Sequence, residues 1–165
     1  MAILDILQLP DPRLRMMAKP VERIDDEIRK IVDDMYETMY DARGVGLAAT
    51  QVGIHKRIFV MDVSPNADQK YCVINPEIIS QSGVREEKEG CLSVTGAYDT
   101  VNRAAKVRFR GMDLEGKIFE MDAEELMAAC VQHEIDHLNG KLFIDHLSRL
   151  KQERIRSKLK KLNRK

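Results

Sequence analysis

The sequence predicts an α+β fold in a single domain, and three observations carry that expectation. A chain of 165 residues is about the size of one globular unit and long enough to bury a core. Helical periodicity marks residues 24–43, 122–140 and 146–165, and short β-branched runs lie between the first two of these. Strands set around a motif-bearing helix in this order suggest α+β. Hydrophobic content is 44% and charged content 33%, as in a folded soluble protein, and no repetitive or Gly/Ser/Pro-rich tract argues for disorder.

Each element has its own signal. After the turn PDPRLR, the stretch IDDEIRKIVDDMYETMYDAR carries Ile24, Ile28, Ile31, Met35 and Met39 at the period of an amphipathic helix, with Asp25 and Asp26 placed to cap it. Gly44 and Gly46 end that helix, and GVGLAATQVG reads as a loop of small residues. The runs 57–63 (RIFVMDV) and 71–79 (YCVINPEII) read as strands, followed by strands at 105–110, where AKVRFR alternates, and at 117–121. DAEELMAACVQHEIDHLNG opens with an acidic first turn and closes in Asn-Gly, the marks of a helix start and stop. The last helix, 146–165, carries Leu147, Leu150, Ile155, Leu159 and Leu162 along one side.

Several classes fall away. The start MAILDILQLPDPRLR has no basic leader, and Asp5 interrupts its apolar run, so neither a signal peptide nor a membrane span is expected and the cytoplasm is the expected location. Cys72, Cys91 and Cys130 are an odd number at irregular spacing, which favours free thiols over a disulfide framework. Net charge is zero, yet residues 149–165 hold nine Lys/Arg against one acid, Glu153. The tail is a basic segment on an acidic body. GVGLAATQ lacks both the GxGxxG pattern and the Lys-Ser/Thr of a P-loop, which excludes a phosphate cradle.

The chemistry concentrates in QHEIDH. On a helix His133 and His137 lie one turn apart on the same face and can reach one metal ion, while Glu134 points aside, where it can touch a bound water. The bland alternative is two histidines that fall in register by chance. A catalytic site needs a third protein ligand. The zinc-protease continuation places a third His where this chain has Phe143. His146 follows the Asn139-Gly140 break, and Glu153 sits in the basic helix, where a solvated ion pair is the ordinary role. Cys130 shares the face of His133, but its short side chain leans toward the helix N-terminus, roughly 10 Å along the axis from His137. It reads as a pocket wall beside Leu126 and Ala129. Cys91, in EEKEGCLSV, could present a thiolate from an extended segment or pack as a small buried hydrophobe. His55 reads as an ordinary loop residue.

GVGLAATQ (44–51), EGCLS (89–93) and QHEIDH (132–137), in this order and with PDPRLR before and GKLF after them, resemble the bacterial peptide deformylases over nearly the whole chain. These enzymes remove the N-formyl group from the formylmethionine of nascent polypeptides. The resemblance implies that Cys91, His133 and His137 hold one divalent metal ion, Fe²⁺ in the cell, with Zn²⁺, Ni²⁺ or Co²⁺ possible in purified protein. It implies that Glu134 handles protons, and that the amide of Gln51 and the backbone N–H of Leu92 stabilise the oxyanion. Val45, Gly46, Glu89, Gly90, Leu126, Ala129 and Cys130 match substrate-binding positions. The histidine helix would be central, wrapped by mixed β-sheets, in one catalytic domain spanning 1–165.

Partners implied are N-formylmethionyl peptides and, through the basic helix at about 146–165, the ribosome near the exit of the nascent chain; no membrane is involved and a monomer is expected. The chain departs from the family at Thr95, where proline is usual, and at Tyr98, where some members carry arginine. Both bear on the groove for the peptide downstream of methionine. Two rival readings are a zinc metallopeptidase, which would not need Cys91, and a ribosome-binding protein without catalysis.

Overall fold

The computed structural model describes residues 2–163. Helix α1, Asp26–Asp41, begins where the sequence caps it: the Asp25 carboxylate accepts from the Ile28 N–H at 3.0 Å. It buries Ile28, Val32, Met35 and Met39, close to the predicted stripe. Strand β1, Gly46–Ala48, stands where the sequence suggested a loop, and a single 3-10 turn, Ala49–Val52, follows it. Gly-Leu-Ala has weak strand propensity, so β1 exists because its partner β2, Ile58–Met61, is fully buried beside it.

Strand β3 runs Tyr71–Ser82, longer than its apolar stretch. The hairpin of β4, Arg85–Cys91, and β5, Val94–Arg103, forms a separate two-stranded sheet. Strands β6, Lys106–Met112, and β7, Ile118–Glu124, complete a five-stranded sheet in the order β1-β2-β3-β6-β7. The α+β class holds, but the sheets are not mixed. Every pairing between these strands is antiparallel, and the parallel element among the described residues is an isolated bridge, Lys19 to Lys56. Short connections such as the turn at residues 113–117 return the chain beside itself, which sets antiparallel neighbours.

Helix α2, Glu125–Leu138, carries the two histidines and packs on β1, β2, β6 and β7. It starts three residues later than the acidic signal suggested, because Asp122–Glu124 remain in β7. Its C-terminal carbonyls are claimed from outside: the Leu138 carbonyl accepts from the Ala18 N–H at 2.8 Å and from the Arg57 guanidinium at 3.2 Å. That satisfies groups a helix end leaves open. Helix α3, Arg149–Asn163, is shorter than the predicted 146–165, since Phe143–His146 form a 3-10 turn and the final two residues lie outside the described residues. Ile155 and Leu159 dock with Leu147 against Val94 and Ala97, whereas Leu150 is 58% exposed. At about 100° per residue Leu150 sits roughly 140° from Ile155 around the helix, so the two cannot share a face. No helix among the described residues is long and apolar enough to cross a membrane.

Gly140 ends α2 with φ +76°, and a Cβ there would strike the backbone carbonyl of Arg15. Gly116, φ +81°, faces open space. Left-handed backbone costs a non-glycine residue about 1–2 kcal/mol. Gly116→Ala is therefore expected to lose about that much stability, and Gly140→Ala clearly more; equal losses in denaturant titration would refute the packing argument.

Candidate metal centre and active site

The site forms where the β4–β5 hairpin lies along α2. Two residues of strand rise roughly 6.6 Å and one helical turn of four residues roughly 6 Å, so a strand beside a helix can match side chains pair by pair. Glu89 and Cys91, on one face of β4, meet His133 and His137 in this way. His133 Nδ1 lies 2.9 Å from Glu89 Oε1, and His137 Nε2 lies 3.2 Å from Cys91 Sγ. The two Nε2 atoms are 3.2 Å apart.

These three ligand atoms lie within 4.8 Å of one another. A tetrahedral ion with bonds of about 2.0–2.3 Å sets its ligands roughly 3.3–3.6 Å apart, close to the spacing present. The Glu89 carboxylate fixes the His133 tautomer with the proton on Nδ1, leaving Nε2 free to ligate. The donor set fits a divalent metal, and burial favours it further: His137 is 0% exposed, and burial pushes its pKa well below the ordinary value, so it stands as the neutral ligand form.

Glu89 is itself held. Burial would raise its pKa, but hydrogen bonds from Arg103 and His133 bring it down to about 2. Arg103, 3% exposed in its side chain, donates to both Glu89 oxygens at 2.8 Å and to Asp136 Oδ2 at 2.7 Å. His146 Nε2 joins this network 2.8 Å from Asp136, which places it away from the ligand cluster. Nothing in the sequence singled out Arg103 or Asp136. An Arg in a strand and an Asp inside a known motif carry no local signal of pairing.

Gln51 projects from the 3-10 turn after β1. Its Oε1 accepts the Ala48 N–H at 2.9 Å, which turns Nε2 toward Cys91 Sγ at 3.5 Å and Ser93 Oγ at 3.1 Å. Glu134 is 3% exposed, its Oε1 has no hydrogen-bond partner, and burial raises its pKa to about 7. Gly46 makes room for it, since a Cβ at 46 would collide with Glu134 Oε2 and Cys130 Sγ.

A cavity of about 340 Å³ opens over this floor. Gln51, Cys91, Leu92, His133 and Glu134 line it, together with Val45, Gly46, Glu89, Gly90, Leu126, Ala129 and Cys130. His137 lies beneath, outside the lining. Cys130 is buried in the wall and outside the ligand cluster, as its helix position suggested. Thr95 and Tyr98 stand at the exposed rim, Tyr98 directly over Gly90. Phe143 packs beside the His133 ring, Glu153 pairs with Arg149 on the outer face of α3, and His55 faces the Arg13 carbonyl in a loop.

Residues 3–153 match the family model described as polypeptide deformylase. A peptide deformylase of Alkalilimnicola ehrlichii is 59% identical over 165 residues, covering 99% of this chain and 93% of the relative. The crystal structure of a peptide deformylase from Legionella pneumophila is similar with a TM-score of 0.95 and 54% identity, covering 99% of this chain and 96% of the other. That of Ehrlichia chaffeensis in complex with actinonin has a TM-score of 0.96 and 43% identity, covering both chains fully, 100% and 100%. With this agreement in sequence and fold, and with a Cys/His/His cluster at the floor of the cavity, the chain belongs to the polypeptide deformylase family.

Proposed function

We propose that this chain removes the formyl group from the N-terminal formylmethionine of nascent polypeptides and releases formate, using one divalent metal ion held by Cys91, His133 and His137. The observation that carries the reading is the meeting of the ligand triad, the unpartnered carboxylate of Glu134 and the Gln51 amide at the floor of one cavity. A metal-dependent peptidase would not need Cys91, and here Cys91 stands within the cluster.

When bound, the cation supplies a Lewis acid that activates water and polarises the formyl oxygen. Fe²⁺ is the proposed metal in the cell, and a donor set of two imidazoles and a thiolate also accommodates Zn²⁺, Ni²⁺ or Co²⁺. Glu134, poised near neutrality by burial, takes the proton from the attacking water and returns it to the departing amine. The tetrahedral intermediate carries an oxyanion, toward which the Gln51 Nε2–H and the Leu92 N–H are directed in this reading. The methionine side chain enters the part of the cavity walled by Val45, Leu126, Ala129 and Cys130, with Gly46, Glu89 and Gly90 along its path. Glu89 has a second task, orienting His133.

The single domain, monomeric state and cytoplasmic location remain part of this proposal, as does ribosome contact through α3. The latter rests on charge. Arg154, Arg156, Lys160 and Lys161 make no ion pair among the described residues, and unpaired cations on one helix suit RNA phosphates.

The test is formate release from an N-formylmethionyl tripeptide, with the N-acetyl analogue as control. Release from the first and none from the second is expected, and bound metal without release would reject the reading. Glu134→Ala should lower kcat by about 10²–10⁴ with metal retained. Gln51→Ala should lower it by about 10²–10³, again with metal retained, and unchanged turnover would reject the oxyanion role. Reversing Arg154 and Arg156 to Glu should weaken ribosome binding at low salt and flatten its salt dependence; identical curves would remove α3 from the interface.

A further inference from the structure

The geometry points to Gln8 as a positioning residue for the sulfur of Cys91, acting through the peptide that joins Leu92 to Ser93. The inference rests on the reading of Cys91 as a metal ligand. Gln8 lies outside every motif and 84 residues from Leu92 in sequence. Its Nε2 donates to the Leu92 carbonyl at 2.7 Å, and its Oε1 accepts from the Thr95 N–H at 3.4 Å and the Thr95 hydroxyl at 2.9 Å. A carbonyl can only accept and a backbone N–H can only donate, so the amide has one orientation that satisfies both.

The grip transmits because a peptide unit is planar. On one edge of the Leu92–Ser93 unit the carbonyl is held by Gln8 at 2.7 Å, with the Thr95 hydroxyl a second, longer donor at 3.3 Å. On the opposite edge the Ser93 N–H donates to Cys91 Sγ at 3.4 Å. Turning the carbonyl turns the N–H. A hydrogen bond to a ligating thiolate withdraws charge from the sulfur and raises the electrophilicity of the ion it binds, the usual means by which outer groups tune a metal site.

Two features define the clamp. Thr95 supplies Gln8 with two donors, its backbone N–H and its hydroxyl, and a proline at this position would offer neither. Meanwhile the backbone around Gln8 is docked independently: the Leu7 N–H donates to the Gln51 carbonyl at 2.8 Å and the Leu9 N–H to the Ser93 carbonyl at 2.9 Å, with Leu9 buried. Removing the Gln8 side chain therefore leaves the strap in place and isolates the clamp.

The experiment uses the full-length protein loaded with Co²⁺, whose thiolate charge-transfer band reports the charge on the sulfur. Gln8→Ala and Gln8→Glu should both shift that band and lower kcat about fivefold with KM nearly unchanged, the size of one ordinary hydrogen bond. The Glu variant keeps the shape and can accept from Thr95, but it cannot donate to the Leu92 carbonyl, so its loss identifies the donation. Thr95→Pro should shift the band in the same direction. The inference is overturned if band and kcat in both Gln8 variants match the unsubstituted protein, if only KM moves, or if the unsubstituted protein shows no thiolate band. Because the band is read without turnover, a shift in a protein that never releases formate would sustain the role of Gln8 while the deformylase reading failed.

Discussion

The buried pairing of Arg103 with Glu89 and Asp136 is the interaction on which the site depends. The proposed ligands come from two pieces of chain that share no sheet, Cys91 from the hairpin and both histidines from α2. Something must fix the distance between them. Arg103 does so from β5, reaching diagonally across the hairpin to Glu89, away from its register partner Arg85, and across to α2 at Asp136. Glu89 then hands the same positional constraint to His133. Buried charges are costly unless each is paired and hydrogen-bonded, and breaking such a set typically costs about 3–5 kcal/mol. The arrangement is therefore all or nothing: with it intact the ligand atoms stand at metal-binding spacing, and without it a buried carboxylate would push strand and helix apart.

A second constraint is steric. In the proposed reaction Glu134 must be dry enough to hold a proton near neutrality and yet open to the cavity. The backbone of β1 meets both demands because Gly46 has no side chain to displace the carboxylate. Ala48, two residues on, offers an N–H to Gln51, so Gly46 and Ala48 of one short strand seat both the proposed proton carrier and the proposed amide donor. Pairing with buried β2 holds this segment of small residues as a strand and so fixes those two positions. Its contribution is the backbone surface it presents.

Much of this was legible in the sequence, for local reasons. α1 and α2 announce themselves through period and caps, and the two histidines through their spacing, because a helix turns one-dimensional spacing directly into a shared face. The ends of elements were less legible, since Asp122–Glu124 satisfy a strand ladder that no local signal reveals. The β4–β5 hairpin was not legible as strands. REEKEG is charged on both faces, and its order comes from the hairpin partner and from α2. Cys91, by its local sequence alone, is indistinguishable from a small buried hydrophobe, and only the family motif around it marks it as a candidate ligand. Arg103 was invisible because its partners lie 14 and 33 residues away. Gln8 is the extreme case, joined to the site across 84 residues of sequence by contacts that only the fold creates.

The proposed reaction needs one ion held jointly by hairpin and helix. The most direct test strips the protein of metal in the absence of oxygen, returns Fe²⁺ stepwise, and measures bound iron against formate released from a formylmethionyl peptide. No release is expected from the stripped protein, followed by a linear rise that levels at one ion per chain and is absent in Cys91→Ser. Release by the stripped protein, or full recovery in the Cys91→Ser variant, would contradict a metal site built on Cys91.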